Sequence, residues 1–232
     1  RFRPVGAALS YPPRTKHPDD VDFSTGSVGL GVALTSFAAL VQEYLRTKEL
    51  APSMPAGRMI ALCGDAEFDE GNVFEAMLEG WKHDVRNVWW VVDYNRQSLD
   101  SVVSERLFGR IEDIFRTTGF EVVELKYGSR LQAVFQRPGG EALRRWIDEC
   151  PNQVYSALTF KGGAAWRAEL ERDLKGEPQT RAIVDALDDR DLHELMTNLA
   201  GHDLESLLAA FHAVQDDRPR CFLAYTIKGN RL

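Results

Sequence analysis

Two apolar segments, each followed by polar residues, constrain the fold of this chain most strongly. Met59–Cys63 leads through a glycine into Asp65, and Val88–Val92 leads within three residues into Asn95. Asp65 and Asn95 therefore follow the C-terminal ends of two predicted strands, and ligands bind at that edge of a parallel sheet. A carboxylate and an amide oxygen suit Mg²⁺ or Ca²⁺, and Mg²⁺ commonly shares its coordination shell with phosphate oxygens. The pair predicts a metal bound together with a phosphate-bearing cofactor.

Strands and helices alternate along the chain, which predicts an α/β fold, doubly wound, with a mostly parallel sheet flanked by helices. Further strands are predicted over Phe120–Leu125, Tyr155–Phe160 and Cys221–Ile227, and further helices over Val32–Leu45, Asn72–Trp81, Phe108–Thr118, Leu131–Phe135 and Glu141–Cys150. Asn72 and Glu75 have the spacing of a capping box at the start of the second helix.

The domain organisation follows from composition. Residues 1–22 are rich in proline and predict an extended N-terminal lead-in, so residues 23–232 form the α/β domain. Residues 161–200 are charged, have helical propensity and lack long apolar runs. We expect this stretch to be a peripheral helical excursion with a solvated surface.

The segment Ser24–Gly31 places three glycines just before a predicted helix. A glycine-rich turn lets a ligand approach backbone amides closely, and a helix N-terminus favours an anion. The order of the glycines is not the dinucleotide-binding fingerprint, and small residues also permit close packing of a helix on a sheet. On this pattern alone, a ligand-binding turn and a packing turn both remain open.

Several titratable residues are candidates for catalytic groups. Glu67, Asp69 and Glu70 are close enough in sequence for an acid–base cluster, but we favour a role in solvating the turn and stabilising the next helix N-terminus. Glu67 could also reach the water shell of the metal. Lys228 ends the last predicted strand, where a lysine suits a carboxylate or a phosphate. The five histidines lack partners at catalytic spacing, and neither zinc spacing nor a Walker loop occurs.

Composition restricts the partners and the compartment. The net charge of −7 argues against nucleic acid, since binding of a phosphate backbone requires a basic face. The three cysteines form no CxxC motif, which suits free thiols in a reducing compartment. No apolar run has the length of a membrane span, and no signal-peptide pattern opens the chain. We expect a cytoplasmic protein with neither a nucleic-acid nor a membrane partner.

A series of motifs, in order from about Asp22 to Gly229, resembles one enzyme family. The motifs are Gly64–Glu70, Asn95–Asp100, Ile111–Phe115 with Gly119, Tyr127–Arg130, Gly201–Asp203 and Thr226–Gly229. They resemble the first component of the homodimeric pyruvate dehydrogenase complex. The Asp65 and Asn95 pair is similar to the metal–diphosphate signature of thiamine diphosphate enzymes in general. One departure is Ala66, which stands where the family has glycine.

The resemblance implies a thiamine diphosphate-binding fold, of which this chain is the diphosphate-binding domain. It implies that Asp65, Asn95 and the backbone carbonyl of Gln97 bind Mg²⁺, and that Lys228 is a candidate catalytic residue. The cofactor-binding residues it implies lie in two turns and are Ser27, Val28, Gly29, Gly64, Asp65, Ala66, Glu67, Asn95 and Gln97. Val28 is implied to support the bent cofactor.

The implied activity is oxidative decarboxylation of a 2-oxo acid. In the resembled family thiamine diphosphate adds to the 2-oxo acid, carbon dioxide leaves, and the acyl unit passes to a lipoyl group on a dihydrolipoyl acyltransferase. The resemblance also implies a homodimer. The family's upstream histidine region and the glutamate of its pyrimidine-binding domain are missing, so we expect this chain alone to be inactive. A truncated protein and a natural split subunit both fit.

Two alternatives remain open on the sequence. A transketolase shares the metal signature and a glycine-rich turn but transfers ketol units between sugar phosphates. The residues after Asn95 and the segment Thr226–Gly229 favour the dehydrogenase. A degenerate, non-catalytic domain is the other alternative, and Ala66 is its only support. Selectivity between pyruvate and longer 2-oxo acids resides largely outside this chain.

Overall fold

The computed structural model describes residues 13–16, 22–55, 57–98, 101–102 and 107–230, and the structural statements below concern these residues. Six strands are present in this part: β1 (Met59–Gly64), β2 (Val88–Tyr94), β3 (Gln97–Ser98), β4 (Ser101–Val102), β5 (Glu121–Leu125) and β6 (Arg220–Tyr225). It also contains ten α-helices: α1 (Leu30–Thr47), α2 (Gly71–Lys82), α3 (Leu107–Thr117), α4 (Ser129–Phe135), α5 (Gly140–Glu149), α6 (Asn152–Lys161), α7 (Gly163–Asp173), α8 (Pro178–Asp185), α9 (Asp189–Met196) and α10 (Leu204–His212). The predicted lead-in lies almost entirely outside the described residues.

Four of the strands form one sheet in the order β1-β2-β6-β5, and every neighbouring pair is parallel. The two central strands, β2 and β6, are almost continuously apolar and buried, as expected when both faces of a parallel sheet are covered. β3 and β4 form a separate antiparallel pair. The predicted α/β fold with a mostly parallel sheet and flanking helices is confirmed.

One hydrophobic core lies between the sheet and helices α1, α2 and α3. Trp90 at its centre is fully buried, and Phe115 packs edge-on against it. Cys63 and Cys221 are buried in this core, as their positions in predicted strands indicated. Helix α1 is buried on one face, which includes Val32 and Ala39, whereas Phe37 and Val41 on its other face are 42% and 56% exposed.

A second hydrophobic core lies among helices α4 to α9. Trp166 is fully buried in it, and Leu170 and Leu174 follow at intervals of four residues. The helical content of residues 161–200 is thus present, but the expectation of a solvated surface is wrong. The physical reason is the spacing, because single apolar residues one helical turn apart make an apolar stripe without forming a long run.

Two local predictions are also wrong. Tyr155–Phe160 was expected to be a strand, but it lies within α6, where Tyr155 and Leu158 are buried while Phe160 is 94% exposed. Two buried residues three positions apart are typical of a helix, whereas a half-buried strand buries every second residue. The capping box is absent as well, since α2 begins at Gly71 and Asn72 is already inside the helix. No helix in the described part of the chain combines the length and hydropathy needed to cross a membrane.

Candidate functional site

The turns after β1 and β2 meet at the carboxyl edge of the sheet. Gly64, the last residue of β1, is paired with Asp93 near the end of β2. The chain then enters a 3-10 helix over Asp65–Asp69, while the turn after β2 begins at Asn95. The two residues predicted to supply side-chain oxygens to a metal are therefore brought to adjacent strand ends.

Asp65 is a buried carboxylate held between these two turns. It is only 8% exposed, and its Oδ2 accepts a hydrogen bond from the backbone N–H of Arg96 at 2.8 Å. Burial raises the pKa of Asp65 to about 6, the N–H of Arg96 opposes this rise, and the charge of Asp93 adds to it. No salt bridge to a described residue compensates the charge. A buried carboxylate without a compensating positive charge favours a bound cation, so Asp65 fits the predicted role of a Mg²⁺ ligand.

The glycine-rich turn before α1 is fixed to the turn after β1 by Glu67. One carboxylate oxygen of Glu67 accepts from the N–H of Gly29 at 2.8 Å, and the other accepts from the N–H of Gly64 at 3.2 Å. Gly29 has a φ of +79°, and a Cβ there would lie 2.7 Å from Oδ1 of Asn72. Glu67 thus joins the two predicted cofactor turns through their backbones, a contact that was not predicted from the sequence. Asp69 and Glu70 are exposed.

Two further residues predicted to contact the cofactor lie at the tip of the glycine-rich turn. Val28 is 54% exposed and Ser27 is also exposed, so both are accessible to a ligand. The carbonyl of Ser27 accepts from the N–H of Leu30, which begins α1. The exposed residues Ser27 and Val28 thus lie immediately before the N-terminus of α1.

Ala66 lies in the 3-10 helix with an ordinary backbone conformation. Ala66 is not among the described residues with a positive φ, and Gly64, two residues before it, has a φ of −84°. The methyl group at the position of the family's glycine therefore introduces no left-handed strain.

Asn95 and Gln97 complete the predicted ligand set. Asn95 is half-buried, and Gln97 begins β3, where its backbone pairs with Val102. No group of three or more His, Cys, Asp or Glu side chains is placed to hold a metal in the described ranges. The predicted set contains one carboxylate, one amide and one backbone carbonyl, so such a group is not required for it.

The end of β6 is attached to the end of β2. The N–H of Thr226 donates to the carbonyl of Tyr94 at 3.0 Å, and the Thr226 hydroxyl donates to Oδ1 of Asp93. The next residue, Ile227, donates its N–H to Nε2 of His202 at 2.8 Å. These bonds place Lys228 at the same edge of the sheet as Asp65 and Asn95.

A cavity of about 340 Å³ opens between this edge and helices α6 and α9. Asn95, Arg96 and Lys228 line one side of it, and Tyr155 and His193 line the other. None of the described residues that line it is acidic, although the chain carries a net charge of −7. The cavity therefore suits an anionic group. In the sequence, Arg96 is marked as a site residue only by its position between two predicted metal ligands. No sequence pattern marks Tyr155 or His193 as residues of this cavity.

Comparisons with known proteins show relatives over nearly the whole chain, while no family model matches. The pyruvate dehydrogenase E1 component of Cupriavidus necator is 30% identical over 224 residues, which cover 95% of this chain and 24% of that protein. The proteins of the same name from Mycobacterium tuberculosis and Escherichia coli are each 29% identical, over 98% and 95% of this chain and 24% and 25% of their own lengths. The chain thus spans about a quarter of the length of these relatives. The similarities confirm the predicted resemblance.

Proposed function

We propose that this chain, as a relative of the pyruvate dehydrogenase E1 components, is the diphosphate- and Mg²⁺-binding domain of a thiamine diphosphate-dependent 2-oxo acid dehydrogenase. The observation that carries the proposal is the buried carboxylate of Asp65, desolvated beside Asn95 at the carboxyl edge of the sheet. Thiamine diphosphate, when bound, would supply the nucleophilic carbon that adds to a 2-oxo acid and the electron sink that allows loss of carbon dioxide.

In this proposal the metal is held by Asp65, Asn95 and the backbone carbonyl of Gln97. The turn residues Gly64 and Ala66 would adjoin the diphosphate, whereas Ser27 and Gly29 would contact the cofactor from the glycine-rich turn and Val28 would support its bent shape. Glu67 would support cofactor binding indirectly. Its two carboxylate oxygens accept hydrogen bonds from the backbone N–H groups of both turns and so hold the turns in place. A prearranged pair of turns reduces the ordering cost of binding a flexible, charged ligand.

Lys228 is proposed to bind and orient the substrate. It lines the same cavity as Arg96 and His193, in which no described lining residue is acidic. A 2-oxo acid enters as a carboxylate, and an ammonium group attracts it as a point charge. A lysine that neutralises this carboxylate fixes the end of the substrate that leaves as carbon dioxide.

The whole protein requires further parts. We propose that a pyrimidine-binding domain or subunit supplies the carboxylate that faces the other ring of the cofactor, that the protein is a homodimer, and that a dihydrolipoyl acyltransferase accepts the acyl group. The support is the length of the relatives, of which this chain spans about a quarter. The isolated chain is then inactive, and 2-oxo acid decarboxylation by the purified 232-residue chain would contradict this part of the proposal.

Two observations weigh against the alternatives. Arg218, just before β6, and Arg220, its first residue, both form ion pairs with Asp216 and Glu121 and therefore do not form a sugar-phosphate clamp of the kind a transketolase needs. Ala66 has no positive φ, which weighs against the degenerate domain that this residue supported.

The test is an assay of the full-length protein with two substrate sets. One set is pyruvate or 2-oxobutanoate with an artificial electron acceptor, and the other is xylulose 5-phosphate with ribose 5-phosphate. We expect carbon dioxide release from the 2-oxo acids alone. Sedoheptulose 7-phosphate formation without 2-oxo acid turnover would show a transketolase instead, and no reaction with either set would support the degenerate domain.

A further inference from the structure

Arg96 has a backbone conformation that needs external support. Its φ is +65°, in the left-handed region that side chains with a Cβ rarely adopt. Such a conformation persists where the surrounding contacts determine it, and it clusters at functional sites. Arg96 lies between Asn95 and Gln97, so its two backbone dihedral angles set the relative positions of these neighbours.

Two contacts hold Arg96 in place. Its backbone N–H donates to Oδ2 of Asp65 at 2.8 Å, and its guanidinium carbon lies 4.3 Å from the ring centroid of Tyr155 on α6. The first contact fixes the turn to the end of β1. The second, a cation–π contact, fixes the same turn to the helices of the second core.

Tyr155 is a rigid support for this contact. It is 1% exposed, its hydroxyl donates to the carbonyl of Met196 at the end of α9 at 2.6 Å, and its ring packs edge-on against Trp166. The position of the Tyr155 ring is therefore determined from α6, α7 and α9 together. The helices around the second core thus contact the turn after β2 at a fixed point.

We propose that Arg96 is a positioning residue, and that its stacking on Tyr155 fixes the Asn95–Gln97 turn in the geometry that presents its oxygens to the metal and the diphosphate. The helical region of residues 126–203 then has a role at the cofactor edge. The part of this inference that concerns cofactor affinity rests on the proposed function. The part that concerns the ordering of the turn does not, because that ordering does not depend on any bound ligand.

The test compares three variants of the full-length protein in calorimetric titrations with thiamine diphosphate and Mg²⁺. Arg96→Met removes the guanidinium from a half-buried side chain, Tyr155→Leu removes the ring but keeps a buried apolar group, and Tyr155→Phe keeps the ring. Arg96→Met and Tyr155→Leu are expected to weaken binding about threefold to thirtyfold, the range that a cation–π contact supplies. Tyr155→Phe is expected to bind within about twofold of the wild type, because the face of the ring is preserved.

Arg58→Met is the matched control. The guanidinium carbon of Arg58 lies 4.2 Å from the ring centroid of Trp89, so this variant removes a comparable stack near the amino ends of the strands. It is expected to leave cofactor affinity unchanged. Equal losses in Arg58→Met and Arg96→Met would overturn the positioning role, because the effect would then be general destabilisation.

Hydrogen exchange in the ligand-free protein separates this inference from the proposed function. The amide of Arg96, bonded to Asp65, is expected to exchange faster in Tyr155→Leu than in Tyr155→Phe or the wild type. If the wild type fails to bind thiamine diphosphate, the proposed function fails while the exchange result still decides the inference. Unchanged exchange in Tyr155→Leu and Arg96→Met would overturn it.

Discussion

Arg96 donates its backbone N–H to Oδ2 of Asp65 over 2.8 Å, and this bond joins the turns after β1 and β2. The accepting carboxylate is buried and its pKa is raised to about 6 by that burial. An ionised Asp65 therefore costs stability when no cation is bound. We predict that Asp65→Asn, which keeps an acceptor for the N–H of Arg96, raises the free energy of unfolding in Mg²⁺-free buffer at about pH 8.

The pH dependence of this gain has a definite sign. The pKa of Asp65 is higher in the folded chain than in the unfolded one, so the folded state takes up a proton first as pH falls. The wild type is thereby stabilised as pH falls through about 6, and the advantage of Asp65→Asn shrinks over the same range. Urea unfolding of both proteins at about pH 8 and about pH 5 measures this. An advantage that grows at the lower pH would contradict the prediction.

Glu67→Gln is expected to destabilise the chain. The glutamate accepts from the N–H groups of Gly29 and Gly64, whereas a glutamine places an NH₂ group against one of these donors. The expected loss in the free energy of unfolding is about 1–3 kcal/mol, the cost of leaving a partly buried donor without an acceptor. Glu70→Gln, at an exposed neighbouring position, is the control and should change little. Equal losses in the two variants would refute the bridging role.

Ala66→Gly is expected to leave the affinity for thiamine diphosphate unchanged. The φ of Ala66 is not positive, so the methyl group stores no left-handed strain for a glycine to relieve. The variant should instead lose about 0.5–1 kcal/mol of folding free energy through greater freedom of the unfolded chain. Paired calorimetry and urea unfolding measure both quantities. Tighter binding by Ala66→Gly would show that the alanine does strain the turn.

Trp166→Ala tests the second hydrophobic core. Trp166 is fully buried, and its truncation is expected to cost about 3–5 kcal/mol in the free energy of unfolding. Phe160→Ala, in the same helical region, removes an aromatic side chain that is 94% exposed and should stay within about 0.5 kcal/mol of the wild type. Similar small effects in both variants would restore the expectation of a solvated surface.

The sequence predicted the sheet and its ligand-binding edge because their signals are local. Apolar runs followed at once by Asp65 and Asn95 specify both a strand and the position of a polar side chain at its end. Helix α1 was also predicted from a local signal, the spacing of the apolar residues over Val32–Leu45. The second core was missed because its apolar residues, such as Trp166, Leu170 and Leu174, are single residues one helical turn apart and form no long apolar run.

The contacts within the site could not be predicted, because they join residues far apart in sequence. Glu67 and Gly29 are separated by 38 positions, and no spacing rule relates a carboxylate to an amide at that distance. The stack of Arg96 on Tyr155 required the second core to be known first. The left-handed backbone of Arg96 had no signal either, since glycine and asparagine are the residues that usually mark it.

The most direct test of the central claim is a calorimetric titration of the full-length protein with thiamine diphosphate, with and without Mg²⁺, in the wild type and in Asp65→Ala. Asp69→Ala, at an exposed position of the same turn, is the matched control. We expect binding that requires Mg²⁺ in the wild type and in Asp69→Ala, and its loss in Asp65→Ala. Unchanged Mg²⁺-dependent binding in Asp65→Ala would contradict the claim that this carboxylate holds the metal and the diphosphate.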